Sequence, residues 1–439
     1  MQAFRRLTSN SIVRKIAGNA SWLMVERLVT MGANLVVSIL MARYLGPGDF
    51  GLFSYVIALV ALVGFLSYLG LDSTVTRRLS EEPERTSVIL GTAFFLRLGG
   101  SLAGFAIAIL FAISQREDPT TAWMLAIVAS GMLFQPAAVI DFFFQSKLLS
   151  RHSATARTFA SLAVSAIKLA LVYASASLLA FAVAAALQHL FVAIAFTLAF
   201  LRHRTDRQAW RWDGTEARHL FRISWPLALS AASALIYLKI DQVMLGEMVG
   251  TSEVGIYAVA ARLSEVWWFL PTALGATFLP VLVASRREGD LVYTRRLQFM
   301  YDTIIWIGMG IAIAVSLVAY PAIRILYGEP YLPAAQMLQW HVWASPLMYA
   351  GAVLARWSVM EGHQLFTLLR NVLGAIVNVA LNFLLIPRYG GVGAAVATLV
   401  SYSIASYGAC LIYAPARGQF GMISKSLIAP LRAFRAVTR

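Results

Sequence analysis

The stretch LIYLKIDQVMLGEMVGTSEVGIYAV, residues 235–259, reads as a membrane helix, a glycine turn and the start of a second apolar run. It carries Lys239 and Asp241 two residues apart. On an α-helix that spacing turns the side chains about 200° from one another, so they cannot pair and each needs another partner. The second half of the stretch has a counterpart near the start of the chain. LGPGDFGLFSY at 45–55 aligns with VGTSEVGIYAV at 249–259, matching Gly46 with Gly250, Asp49 with Glu253, Gly51 with Gly255 and Phe53 with Tyr257. An offset of 204 residues in a chain of 439 predicts two related halves, a common transporter plan. Glycine at the matched positions permits the tight turn and close helix approach that a hairpin in lipid requires.

Composition agrees with a membrane setting. The chain is 59% hydrophobic and 13% charged, with a mean hydropathy of +0.71, outside the range of ordinary soluble domains. A bilayer core needs about 20 apolar helical residues. Segments of that kind recur at 20–44, 49–71, 88–113, 121–146, 154–176, 178–201, 222–246, 254–283, 298–320, 331–356, 365–386 and 392–413. The first contains Glu26 and Arg27 and is too long for a secretion signal, so it reads as a retained span. The expected fold is an all-α polytopic membrane protein, with twelve transmembrane helices in two pseudo-symmetric six-helix lobes around a central cavity. Residues 1–201 form the first lobe, 202–221 a cytoplasmic linker, 222–413 the second lobe and 414–439 a basic amphipathic tail.

The net charge of +15 falls between apolar runs and not on a solvated face, so it reads as a topology signal and nucleic acid is not expected as a partner. With helix-end residues assigned to the adjoining segment, Arg356 and Arg370 among them, 27 of the 36 Lys and Arg lie on one side and four on the other. That asymmetry puts both termini in the cytoplasm. The single cysteine, Cys410, excludes an internal disulfide and a cysteine metal cluster.

Three stretches, ARYLGPGDFGLFSY at 42–55, IDQVMLGEMVGTSEVGIYAVAARLSEV at 240–266 and IPRYGGVGAAVAT at 386–398, resemble the Wzx-type polysaccharide flippases of bacterial inner membranes. These belong to the multidrug/oligosaccharidyl-lipid/polysaccharide (MOP) superfamily, with the multidrug (MATE) exporters. The resemblance covers nearly the whole chain. It implies movement of undecaprenyl-diphosphate-linked oligosaccharide from the cytoplasmic to the periplasmic leaflet by a monomer, for O-antigen, capsule or exopolysaccharide assembly, with a polysaccharide polymerase complex as a partner. It also implies coupling to a proton or sodium gradient without any cofactor. Two departures stand out: SASLLAF at 175–181 lacks the glycines of GGVG at 390–393, and twelve helices are fewer than the fourteen of the related cell-wall precursor flippase.

Five cations, Arg27, Arg97, Lys168, Lys239 and Arg262, lie inside predicted helices with four carboxylates, Glu26, Asp141, Asp241 and Glu265. Each costs about 2.5–3.5 kcal/mol at a helix centre, so most should face a wet cavity or a partner. Arg262 and Glu265 are three apart and share a face, which suits an ion pair, and Asp241 is an alternative partner for Arg262. Lys239 and Arg262 stand at similar depth on one hairpin. Guanidinium groups suit a diphosphate because they give parallel hydrogen bonds and stay charged. The resemblance implies cavity arginines in the first and eighth helices, and Arg27 and Arg262 match by helix and approximate depth. Arg97 lines the cavity or is paired. Lys168 and His189, on the fifth and sixth helices, relay protons or simply pack. Asp141 and His341 of QWHVW (339–343) are read as interfacial. Asn371, Asn378 and Asn382 share one helix face and either bond between helices or line a path for sugar hydroxyls. Arg432, Arg435 and Arg439 of the tail are read as lying on the anionic inner surface.

Two other classes compete with this reading. A membrane enzyme of the same pathway needs a catalytic constellation, and the sequence has no metal-binding cluster, activated nucleophile or phosphate loop. A multidrug exporter of the same fold favours a carboxylate-rich cavity, whereas here the bases are at least as many. Asp241, Glu265 or His189 is the expected carrier of a coupling ion.

Overall fold

In lipid every backbone amide must be paired within its own segment or a closed barrel. The described residues of the computed structural model, 11–114, 118–203 and 209–429, meet that demand with helices and contain no strand. The C-terminal arginines expected on the membrane surface lie outside the described residues.

The first group of helices is α1 (Ser11–Tyr68), α2 (Leu71–Glu81), α3 (Thr86–Ser114), α4 (Pro119–Ser130), α5 (Val139–Ser146), α6 (Ser150–Tyr173) and α7 (Leu178–His203). Then come α8 (Gly214–Met248), α9 (Thr251–Glu265), α10 (Phe269–Glu288), α11 (Asp290–Leu326), α12 (Ala334–His341), α13 (Ala344–Met360), α14 (Gln364–Ser403), α15 (Ala409–Ile412) and α16 (Arg417–Leu427). Among the described residues, eight stretches are long and apolar enough to cross a membrane, where the sequence predicts twelve spans. Two of the eight are divided by a glycine outside helical geometry: Gly46 (φ 72°) in α1 and Gly390 (φ 54°) in α14. The expected spans at 254–283 and 331–356 are each broken, by a 3-10 turn at Val266–Trp268 and by the turn between α12 and α13.

The repeat is visible in the backbone. Gly46 and its match Gly250 both have positive φ, at 72° and 121°, where a Cβ would clash with the chain itself.

The chain forms two compact units. One comprises the described residues up to 45 together with 56–232; the other comprises 46–55 and the residues from 233 onward. In the first, a core of Leu71, Ile89, Leu90, Phe143, Phe144 and Phe196 is nearly inaccessible, with Phe143 and Phe200 edge to face at 5.1 Å. Small residues bring its helices close: Ser67 and Ser101 share a hydrogen bond of 2.8 Å, and a Cβ on Gly100 would fall 2.8 Å from the Leu66 carbonyl carbon. Glu216, only 4% exposed, anchors the start of α8 by accepting from Arg78 at 3.1 Å and Arg85 at 3.2 Å. The second unit packs Tyr301, Ile304, Tyr349, Leu354 and Phe366 into its core. Large apolar side chains also cover the outside, with Phe159 70%, Leu317 77% and Phe383 68% exposed, which is unfavourable against water and natural against lipid.

Candidate functional site

The helices of the second unit gather a polar cluster around Asp241, which is 2% exposed. Asp241 sits on α8 and Tyr257 on α9, after the Gly250 turn. Asn378 and Asn382 stand one turn apart on α14 before Gly390, and Thr398 follows that break. One carboxylate oxygen of Asp241 accepts from the Tyr257 hydroxyl at 2.7 Å and from the Thr398 hydroxyl at 2.5 Å. The other accepts from Asn382 Nδ2 at 2.6 Å. Asn382 Nδ2 also donates to Asn378 Oδ1 at 3.1 Å. Asn378 and Asn382 are fully buried, yet Asn378 Nδ2 and Asn382 Oδ1 have no hydrogen-bond partner.

This site holds a carboxylate by neutral donors, with an unused amide oxygen beside it. Burying a carboxylate costs several kcal/mol unless a cation or a proton compensates. Turning the Asn382 amide would direct its oxygen at the same point as Asp241, which suits a small hard cation. Such an arrangement has the chemistry to accept a proton on the carboxylate or a monovalent cation among its oxygens.

The structure corrects several expectations. Asp241 bonds to hydroxyls and an amide, and Arg262 is directed elsewhere: its guanidinium lies 4.9 Å over the Phe50 ring. Asn382 bonds across helices to Asp241 and along α14 to Asn378, and both amides are fully buried, so they do not line an open sugar path. Asn371 is half-buried. His341 is not part of an exposed aromatic belt; it is 3% exposed, stacked on Trp268 with centroids 6.2 Å apart and edge-on to Tyr257 at 6.0 Å. Its neighbours in the apolar WHVW run are what made it look like part of an aromatic belt.

In the first unit Arg97 is 2% exposed. Its Nε donates to the Ser67 carbonyl at 2.9 Å, its Nη1 is 3.9 Å from Asp72, and it lies 5.5 Å from the Tyr68 and Phe142 rings. That guanidinium closes the turn at 67–72, so of the two expected roles the structure shows Arg97 as a paired residue. Glu26 lies 3.5 Å from Arg157, which also holds Asp141 at 2.7 Å, so Asp141 is an ion-pair residue. Arg27 is exposed; Lys168, Lys239 and Glu265 are half-buried. His189, also half-buried, sets its ring edge 2.9 Å from where a Cβ on Gly131 would lie. Arg370, assigned above to the inner side, is instead buried in α14, donating to the Gly351 carbonyl at 3.1 Å.

Sequence reasoning missed Thr398 and the chemical role of Tyr257. Thr398 closes the IPRYGGVGAAVAT motif and Tyr257 appears in the repeat alignment, so both were within reach as motif positions. Nothing in a linear sequence says that α8, α9 and the two arms of α14 meet at one carboxylate.

Long apolar helices, a duplicated glycine hinge and a buried ionisable cluster between helices define a multi-pass membrane protein with a transporter fold. Residues 16–285 match the family model described as polysaccharide biosynthesis protein. The match spans more than half of the chain, which therefore belongs to that family. Its relatives include the probable flippase AglR of Haloferax volcanii, 29% identical over 42% of this chain and 39% of that protein. The chain thus spans well under half of AglR. The probable low-salt glycan biosynthesis flippase Agl15 of the same organism is 23% identical over 89% of this chain and 81% of that protein. The EPS I polysaccharide export inner membrane protein EpsE of Ralstonia nicotianae is 25% identical over 67% and 68%. Among solved structures, the lipid II flippase MurJ in an inward closed conformation matches with a TM-score of 0.71 at 14% identity, over 94% of this chain and 92% of that one. An inward-facing MATE transporter of the MOP superfamily matches at 0.66 and 14%, over 92% and 99%. The fold is that of the MOP superfamily.

Proposed function

We propose that the protein is a flippase that moves undecaprenyl-diphosphate-linked oligosaccharide across a bacterial inner membrane by alternating access, with both termini cytoplasmic. Membership of the polysaccharide biosynthesis family, together with two relatives named as probable flippases, supports the glycan cargo. The observation that carries the mechanism is the Asp241 cluster, a buried carboxylate with three neutral donors and an unused amide oxygen beside it. In this reading Asp241 takes up a proton or a sodium ion in one state and releases it in the other. Arg27 and Arg262 each hold the diphosphate in successive states, because guanidinium groups give it charge-assisted bonds. Asp241, and neither Glu265 nor His189, is the coupling residue, since it alone of the three has this oxygen-rich surround.

Reconstitution into liposomes with a fluorescent polyprenyl-diphosphate sugar tests the proposal. The expected result is loss of the probe from one leaflet, faster with a proton or sodium gradient. Arg27→Ala with Arg262→Ala should abolish transport, and Asp241→Asn should remove the gradient dependence. No transport by the wild type, or transport unaltered by the double arginine change, overturns the flippase reading. Equal acceleration of Asp241→Asn by the gradient overturns the coupling assignment alone.

A further inference from the structure

A second feature lies entirely in the first unit, on the outside of α6 and α7. These antiparallel helices leave a groove of about 900 Å³ between them. Its walls are apolar, built around Phe159 on α6 and Ile194 and Leu198 on α7. One end is strongly basic. Arg151 and His152 begin α6, Arg202 and His203 end α7, and the two imidazole rings lie with centroids 4.0 Å apart. A second groove of about 270 Å³ runs along the adjoining face of α6, between it and α1, and shares Thr155 and Phe159 with the first. Phe159 therefore forms a ridge between two apolar channels that begin at the same basic end. Arg151 stands over both, its guanidinium 5.0 Å over the Trp22 ring that lines the smaller channel.

We propose that this double groove binds one anionic glycerophospholipid, its phosphate at Arg151 and Arg202 and its two acyl chains on either side of Phe159. Three physical arguments select that occupant. Length is the first: from Arg151 to Ala163 α6 rises about 18 Å at 1.5 Å per residue, close to the roughly 15 Å of hydrocarbon in one leaflet. A polyprenyl chain spanning more than one leaflet does not match it. Shape is the second, because two channels meeting beneath one cationic head fit a two-chain lipid, and a single prenyl chain would leave one of them empty. Charge is the third: Arg151 and Arg202 attract an anion, and the carboxylate that lines either channel, Glu26 in the smaller one, is turned to Arg157 at 3.5 Å. The basic end lies on the side that the Lys and Arg distribution assigns to the cytoplasm, whose leaflet carries anionic lipid. The site needs only the membrane location and not the transported substrate.

Native mass spectrometry of the purified full chain tests it, with phosphatidylglycerol, phosphatidylcholine, lyso-phosphatidylglycerol and a polyprenyl diphosphate as probes. The wild type should retain one phosphatidylglycerol in preference to phosphatidylcholine. Arg151→Ala with Arg202→Ala should weaken that binding about thirtyfold, from about 1 kcal/mol for each arginine. Ala163→Phe, which fills the larger channel without altering charge, should also weaken it, and lyso-phosphatidylglycerol should bind more weakly than the two-chain lipid. Melting temperatures of both variants report whether they are folded, and Ala195→Phe offers a second channel-filling variant should Ala163→Phe fail to fold. Retention of the preference by a folded channel-filled variant would mean surface electrostatics alone and overturns the site. Displacement of phosphatidylglycerol by stoichiometric polyprenyl diphosphate overturns the assignment to phospholipid.

Discussion

Replacing Gly51 by alanine probes the hinge that the repeat predicted. Gly51 and Gly255, aligned in the two repeats, touch one another within the second unit. A Cβ on Gly51 would stand 2.6 Å from the Thr251 carbonyl carbon and 2.8 Å from the Gly255 nitrogen. A Cβ on Gly255 would stand 3.0 Å from both the Pro47 carbonyl carbon and the Gly51 nitrogen. Carbon atoms prefer about 3.5–4.0 Å, so the 46–55 segment must move off α9 by about an ångström. The obstacles are backbone atoms, which cannot rotate aside. Overpacking a close-packed site costs about 1–3 kcal/mol, and this backbone clash belongs at the upper end. The displaced segment includes Phe50, which is 0% exposed, meets Tyr331 edge to face at 6.3 Å and lies under Arg262. Scanning fluorimetry in detergent should show Gly51→Ala melting several degrees below the wild type. Gly48→Ala is the control: it has nothing within 4 Å, and alanine favours the helix by about 1 kcal/mol. The double variant Gly51→Ala with Gly255→Ala should cost less than the sum of the two, because separating the segments for one Cβ makes room for the other. A Gly51→Ala protein that melts with Gly48→Ala would refute the close-approach argument.

Asp241→Asn should leave the melting temperature unchanged or raised, since an amide can satisfy the same partners without a buried charge; a fall of many degrees would show that the carboxylate is structural. Thr398→Val removes a donor to that carboxylate and should cost about 1–3 kcal/mol in denaturant or thermal unfolding. Glu216→Gln should cost about 2–3 kcal/mol, short of the full penalty for breaking a buried pair because Arg78 keeps Glu82; unchanged unfolding counts against it. Asp118 caps α4 by accepting from the Thr121 amide at 3.1 Å, and the Thr121 hydroxyl and the α4 amides hold its carboxyl below the usual carboxylate range. Its stabilising effect is therefore present above about pH 4 and is lost as pH falls through the lowered value. Asp118→Ala should remove about 1 kcal/mol near neutrality and flatten the acid limb of a stability profile against pH.

By itself the sequence determined the class and plan of this protein, because those depend on local quantities. Hydropathy summed along the chain marks it as a bundle of long apolar helices, and a glycine that needs positive φ marks a hinge wherever it falls. The alignment of Gly46 with Gly250 held in the backbone for that reason. Partner identity is a different kind of quantity. Asp241 and Arg262 looked like alternative partners because only their spacing along one hairpin was visible, and Asn378 looked able to line a sugar path because only one helix face was visible. Tertiary structure alone decided that Thr398, about two turns beyond Gly390, would come back onto Asp241, while Arg262 turned to Phe50. It also decided that Arg97 closes a turn and that the bases of α6 and α7 stand at one end of a double groove. Each outcome is set by contacts between residues far apart in sequence, as with Tyr257 and Thr398, which reach Asp241 from 16 and 157 positions away, and a linear pattern carries no information about which distant oxygens will share a buried space.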